Sequence, residues 1–105
     1  MQYHKIEVYV PASHARDVKQ AMFDAGAGKF GNYDRCCFQT RGTGQFRPLA
    51  GAEPFIGSTG EDETVGEWKL EMICADDKLR AVIHAMLSAH PYETPAFQHW
   101  SVEIQ

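Results

Sequence analysis

The sequence predicts an α+β sandwich in which two helices pack on one face of an antiparallel sheet. Several segments alternate apolar and polar residues with the period of two that half-buried strands show. Two other segments repeat apolar residues three and four apart, as amphipathic helices do. These segments follow one another as strand, helix, two strands, helix and strand, which is the ferredoxin-like βαββαβ order.

The first two elements are a strand and a helix. Ile6, Val8 and Val10 alternate with polar side chains until Pro11 ends the strand. A stripe with helical spacing then follows, formed by Val18, Ala21, Met22 and Ala25. Gly26 and Gly28 lie just beyond this stripe, where glycines commonly end a helix.

The middle of the chain is predicted to form a strand, a turn and a loop. Residues 33–41 alternate again. Gly42-Thr43-Gly44 has the composition of a tight turn into a further short strand, which ends at Pro48. Residues 50–63 are rich in glycine, proline and acidic residues, which predicts a loop.

The second half repeats the pattern of strand, helix and strand. Residues 64–75 predict a long strand and residues 97–104 a last one. Between them lies a helix that ends before Pro91. Its predicted buried stripe consists of Leu79, Val82, Ile83, Met86 and Leu87.

The strand patterns predict which residues face the helices. Even-numbered residues of the four principal strands are expected there, so that the core is Ile6, Val8, Val10, Val18, Met22, Phe38, Trp68, Leu70, Leu79, Val82, Ile83, Met86, Trp100 and Val102. The other sheet face is then expected to carry Tyr9, Cys37, Ile73 and Phe97, more apolar surface than a solvated face needs. We expect part of it to be covered, although scattered exposed apolar residues are also ordinary.

The long strand predicts self-association. It spans residues 64–75, whereas strands usually have about five or six residues. The part that overhangs its own sheet exposes N–H and C=O groups that a neighbouring chain can pair. We therefore expect a homo-oligomer.

Composition sets the broad class. The 105 residues are expected to form a single domain, and 44% of them are hydrophobic. The net charge of −4 provides no basic surface for nucleic acid, and no run approaches the roughly 20 apolar residues of a membrane span. The N-terminus lacks a signal-peptide pattern, and the three cysteines are an odd number, so we expect a cytoplasmic protein without disulfides.

Two segments resemble a known family. They are GNYDRCCFQTRGTGQFRPLAGAEPFIG, residues 31–57, and HPYETPAF, residues 90–97. They resemble the middle domain of the NGG-one-interacting-factor-three-like (YqfO-type) family. The opening, KIEVYVPASHARDVKQAMFDAGAGKFGNYD, and the segments VGEWKLEMIC and DDKLRAVIHAMLSAHPYETPAF extend the resemblance over nearly the whole chain.

The resemblance implies a fold, an assembly and a restriction on activity. In that family the middle domain is an insert similar in fold to CutA and PII-like proteins, which are typically trimers. A homotrimer is therefore expected, with a homodimer as the alternative. The family's two-metal site lies in flanking halves, which this chain is expected to lack. We therefore expect no hydrolase or cyclohydrolase activity from this chain alone.

Glycines and arginines in the middle segment suggest a ligand site. Backbone N–H groups at Gly42 and Gly44, with the charges of Arg41 and Arg47, could bind a small anionic ligand. Tyr92 is a fifth candidate contact. The alternative is that the glycines only supply positive φ angles in a hairpin, because the segment lacks a phosphate-loop pattern.

His90 and Glu93 suggest a divalent metal site, since imidazole and carboxylate are common metal ligands. The alternative is a plain helix stop at Pro91, with Tyr92 packed against a neighbour. Cys36 and Cys37 are adjacent and point to opposite faces of a strand, so one ion cannot easily bind both. Cys36 and Cys74 are expected to be small core residues.

Three functional hypotheses remain open. The leading one is a small oligomeric binding or sensor-type domain of unknown ligand, without catalysis or a bound cofactor, whose partners are copies of itself and a small ligand or protein. The second is a CutA-like protein that binds a divalent metal. The third is an enzyme whose site forms only between subunits. No Ser/His/Asp triad can be assembled from the sequence, so no catalytic residue is assigned.

Overall fold

The computed structural model describes residues 2–104. Its strands are β1 (Tyr3–Pro11), β2 (Phe38–Phe46), β3 (Glu63–Ala75) and β4 (Phe97–Val102), and its helices are α1 (Ala15–Asp24) and α2 (Leu79–Ala89). A single 3₁₀ turn precedes each helix. The strands form one antiparallel sheet in the order β2-β3-β1-β4. This arrangement confirms the predicted ferredoxin-like α+β fold.

The core lies between the helices and the two central strands. Alternate residues of β1 from Ile6 to Val10 and of β3 from Leu70 to Cys74 are buried there against the apolar stripes of α1 and α2. The fully buried side chains include Ile6, Val8, Val10, Val18, Met22, Leu70, Val82 and Met86, all of which were predicted. Trp68, Leu79 and Ile83 are partly buried against this cluster. Leu87, predicted for the same stripe, is 41% exposed.

The predicted parity is wrong in both edge strands. Phe38 pairs with Glu71 and Trp100 pairs with Lys5, so both aromatic side chains lie on the sheet face away from the helices. They are 69% and 43% exposed. Paired residues share a face, and a shift of one residue moves a side chain to the opposite one.

The same shift corrects three further predictions. Cys37 and Phe97 pack against the core instead of lying on the outer face. Val102 pairs with Tyr3 on the outer face and is only half-buried. Cys74 is a core residue as predicted, whereas Cys36 is half-buried outside the core cluster. Of the residues predicted for the outer face, Tyr9 and Ile73 do lie on it.

The predicted turn at Gly42-Thr43-Gly44 is wrong. These residues lie inside β2, which runs without interruption to Phe46, and neither glycine has a positive φ. The chain reverses instead through residues 47–62, where a hydrogen bond from Gly60 N–H to the Pro48 carbonyl oxygen (2.8 Å) closes the base of a long loop.

The β2–β3 hairpin extends beyond the rest of the sheet. β1 pairs with β3 only as far as Glu67, opposite Pro11. Residues 63–66 pair with β2 alone, from Thr43 to Phe46. This two-stranded extension and the loop that it carries create one wall of a large cavity. No helix in the described part of the chain is long and apolar enough to cross a membrane.

Candidate ligand-binding site

A cavity of about 720 Å³ lies at the extended end of the sheet. β2 and the loop after it form one side, and the segment between α2 and β4 forms the other. Most of the lining is aromatic or aliphatic, with few polar groups. The lining residues are Tyr9, Gly44, Gln45, Phe46, Arg47, Pro48, Leu49, Ala52, Pro54, Phe55, Ile56, Glu67, Tyr92, Glu93, Thr94 and Ala96.

His90 fixes the segment between α2 and β4. Its side chain is buried at the helix end, where Pro91 prevents the helix from continuing. Its Nδ1 accepts a hydrogen bond from Tyr92 N–H (3.2 Å), so in the neutral ring the proton lies on Nε2. Nε2 then donates to the carbonyl oxygen of Tyr9 (2.8 Å). The imidazole thus ties the segment to the end of β1.

Tyr92 extends this hydrogen-bonded network into the cavity. Its hydroxyl donates a hydrogen bond to Oε2 of Glu67 (3.0 Å). Burial, together with the bond to this carboxylate, raises the pKa of the phenol far above its ordinary value. Tyr92 therefore stays protonated and keeps donating to Glu67 at any physiological pH.

Gly44 makes room for the Glu67 carboxylate. A Cβ atom at position 44 would overlap the carboxyl group of Glu67. This glycine is thus needed for the close approach of a side chain and not for backbone freedom. Gly44 and Glu67 lie on the same face of adjacent strands, at the floor of the cavity.

Aromatic rings form much of the wall. The ring centroids of Phe46 and Phe55 lie 6.0 and 6.4 Å from that of Tyr92. Phe55 also meets His14 edge-on, with 5.3 Å between centroids. Such tilted pairs are favourable arrangements for aromatic rings. Leu49 and Phe55, on the loop, are 66% and 50% exposed.

The structure brings together only part of the sequence-predicted ligand set. Gly44, Arg47 and Tyr92 all line the cavity. Arg41 and Gly42 line a smaller neighbouring groove of about 300 Å³. The guanidinium of Arg41 lies 5.7 Å from the centre of the Trp68 ring, a cation–π arrangement.

The two candidate metal ligands are already engaged. Both ring nitrogens of His90 make hydrogen bonds within the protein, and the carboxylate of Glu93 accepts a hydrogen bond from Glu53 N–H. Binding an ion through His90 would break one of its two bonds. Within residues 2–104, no three His, Cys, Asp or Glu side chains are grouped as metal ligands.

Four residues of the site were missed from the sequence: Tyr9, Phe46, Phe55 and Glu67. Tyr9 and Glu67 are odd-numbered residues of β1 and β3, whose buried apolar residues are even-numbered. The signal in the sequence is a polar or aromatic residue on the opposite face of such a strand, near its end. Phe46 falls in the short strand predicted before Pro48, and Phe55 falls in the predicted loop of residues 50–63, and neither element indicates a ligand contact.

The stability of the fold should fall in mild acid because of His90. Burial lowers the pKa of His90 below its ordinary 6.5. As the pH falls, the unfolded chain therefore takes up a proton before the folded chain does. The contribution of His90 is complete above about pH 6.5 and is lost progressively below it.

Thermal melting at pH 7.5 and pH 5 measures this dependence. We expect the melting temperature of the wild type to drop more between these values than that of His90→Gln, which cannot titrate. His84→Gln, at an exposed position of α2, is the matched control and should behave like the wild type. An unchanged pH dependence in His90→Gln would contradict the assignment.

The fold defines the class of protein. The chain superposes on the periplasmic divalent cation tolerance protein CutA from Archaeoglobus fulgidus with a TM-score of 0.67 at 15% identity, covering 98% of this chain and 86% of that one. GlnK from B. subtilis gives a TM-score of 0.64 at 12% identity, covering 97% and 86%. At such identities the likeness shows the fold alone, which is that of the CutA and PII-like domains.

Sequence similarity relates the chain to part of several longer proteins, although no family model matches it. The chain is 46% identical over 99 residues to the GTP cyclohydrolase 1 type 2 homolog of Bacillus subtilis, covering 94% of this chain and 26% of that protein. A Bacillus cereus protein related to NIF3 gives a TM-score of 0.84 at 40% identity, covering 98% and 26%. Over most of its length the chain is therefore similar to one segment of NIF3-like (YqfO-type) proteins, and it spans about a quarter of the length of the curated relatives it matches.

Proposed function

We propose that this chain is a self-associating ligand-binding domain whose binding site is the cavity at the extended end of the sheet. The observation that carries the proposal is the cavity itself, about 720 Å³ with a mostly apolar lining. Ligand sites in proteins are typically concave, largely apolar and supplied with a few converging polar groups. Here Glu67, Glu93, Arg47 and the Tyr92 hydroxyl are those groups.

The scaffold of the cavity supports a binding role. Glu67 stands on a central strand, and Tyr92 is held by the buried imidazole of His90. Groups fixed in this way lose little freedom when a ligand binds. The loop carrying Leu49 and Phe55 exposes apolar surface at the entrance, which a ligand would cover.

A neutral fluorescent probe tests the proposal. N-phenyl-1-naphthylamine becomes bright in apolar sites, and we expect it to bind with a saturable signal. Phe55→Ala should weaken this binding, because half of that ring is exposed and its loss removes wall surface without emptying the core. Phe30→Ala is the matched control, since Phe30 is 42% exposed outside the cavity. Equal loss in both variants, or no saturable binding, would overturn the proposal.

Self-association rests on the outer sheet face and the hairpin. Phe38 and Trp100 expose aromatic surface on either side of a charged centre, in which Lys5 and Lys69 form ion pairs with Glu7 and Glu71. The extension of β3 beyond β1 leaves backbone groups that a neighbouring strand can pair. The resemblance to CutA and PII-like proteins favours a homotrimer over a homodimer.

A further inference from the structure

We infer that the cavity takes a planar organic cation, such as an aromatic amidine or guanidine, whose positive group is bound by Glu67. This inference rests on the proposed function and adds the chemical class of the ligand. It follows from the charges at the cavity floor, the rings of its wall and the position of Arg47.

Glu67 is a carboxylate without a cationic partner in the part of the chain that the structure describes. Two acidic residues of the same sheet face, Glu7 and Glu71, are paired with lysines. Lys69, two residues from Glu67, is directed to those two carboxylates. Among residues 2–104, no Lys, Arg or His nitrogen lies within 4.0 Å of Glu67.

The surroundings hold part of this carboxylate away from water. Glu67 is half-buried and lies against apolar cavity walls, and a charged group that loses water contacts gains from a partner of opposite charge. Its Oε2 accepts a hydrogen bond from the Tyr92 hydroxyl, whereas no side chain within residues 2–104 donates a hydrogen bond to Oε1. The neighbouring His90 is neutral, with both nitrogens in use. A ligand N–H⁺ group can supply both the missing charge and the missing donor.

The wall fits a flat cation. The rings of Phe46 and Phe55 lie 6.0 and 6.4 Å from the ring of Tyr92, measured between centroids. Aromatic faces attract cations, and they also stack on planar groups. Glu93 adds a second carboxylate to the lining. This carboxylate accepts a hydrogen bond from Glu53 N–H, an uncharged group that leaves its negative charge in place.

Among the described residues that line the cavity, Arg47 is the only basic one, and it is exposed. Two carboxylates against one guanidinium leave the lining with a formal charge of −1. The net charge of the lining therefore attracts a cation, whereas only Arg47 attracts an anion. Removing Arg47 should strengthen the binding of a cation.

Three ligands of nearly equal shape test the inference: benzamidine, benzamide and benzoate. Each is titrated into ¹⁵N-labelled protein, and the amide signals of Gly44, Glu67 and Tyr92 are followed. We expect benzamidine to bind more tightly than benzamide, and benzoate most weakly. Glu67→Gln keeps the shape and the acceptor for Tyr92, and it should weaken benzamidine binding about tenfold or more.

Two further variants separate local from general charge effects. Glu61→Gln removes the same charge from an exposed loop position outside the cavity and should leave benzamidine binding unchanged. Arg47→Gln should tighten it. Weaker benzamidine binding in Arg47→Gln, or equal losses in Glu67→Gln and Glu61→Gln, would overturn the inference.

The outcome also separates this inference from the proposed function. If benzoate or benzamide shifts the same amides at equal or lower concentration than benzamidine, the cavity is a ligand site but its preference for cations is wrong. If none of the three shifts these amides while N-phenyl-1-naphthylamine still binds, the inference fails and the proposed function stands. If the neutral probe also fails to bind, both are wrong.

Discussion

Leu70→Ala is expected to lower the free energy of unfolding by about 2–5 kcal/mol. Leu70 lies at the centre of β3, fully buried between Val8 of β1 and the helices. The truncation removes buried apolar surface and leaves a cavity that a close-packed core cannot fill. Since a domain has about 5–15 kcal/mol of stability in total, this loss is a large fraction of it.

Denaturant unfolding and thermal melting measure the effect. The melting temperature should fall by roughly 10 °C or more. Leu87→Ala is the matched control, because Leu87 is 41% exposed on α2 and alanine is a good helix former. The burial of Leu70 would be refuted by a melting temperature within a degree or two of the wild type.

Gly28→Ala is expected to cost about 2–4 kcal/mol. Gly28 has a φ of +82°, which strains any residue with a side chain. A Cβ there would lie 2.9 Å from the Cys36 carbonyl oxygen and 2.9 Å from the Phe23 ring. Gly28 also donates to the Ile73 carbonyl oxygen (2.8 Å), which joins the segment after α1 to β3.

Gly60→Ala separates packing from backbone strain. Gly60 has nearly the same φ, +81°, but no atom lies within 4 Å of an added Cβ. Its substitution should therefore carry only the cost of the backbone conformation, about 1–2 kcal/mol. If both variants unfold at the same denaturant concentration, the close contact at Gly28 makes no contribution.

The central strands and the helices could be predicted because each has a single apolar face. Ile6, Val8 and Val10 alternate with polar residues, and only one register buries them. The edge strands were ambiguous, because Cys37 and Phe38 are adjacent apolar residues. In β4, Phe97 and Trp100 lie on opposite faces, and the larger ring is the more exposed one.

The site was harder to predict than the fold because it depends on contacts between distant segments. Gly44 was recognised as special, but its reason is a carboxylate 23 positions away in sequence on the neighbouring strand. Tyr92 was recognised through its proline-rich segment, whereas its partner Glu67 looked like one of many polar strand residues. Closely spaced glycines indicate a turn or the close approach of another group to the backbone equally well. Only the pairing of β2 with β3 distinguishes the two.

Native mass spectrometry of the protein taken directly from cells tests the central claim most directly, because it reports both assembly and retained ligand. We expect three associated chains that carry a small non-covalent adduct. Gly44→Val should lose the adduct, since its side chain displaces the Glu67 carboxylate from the cavity floor. Two associated chains would replace the trimer by a dimer and leave the binding site intact. Single chains without an adduct, or an adduct equally retained by Gly44→Val, would contradict the account.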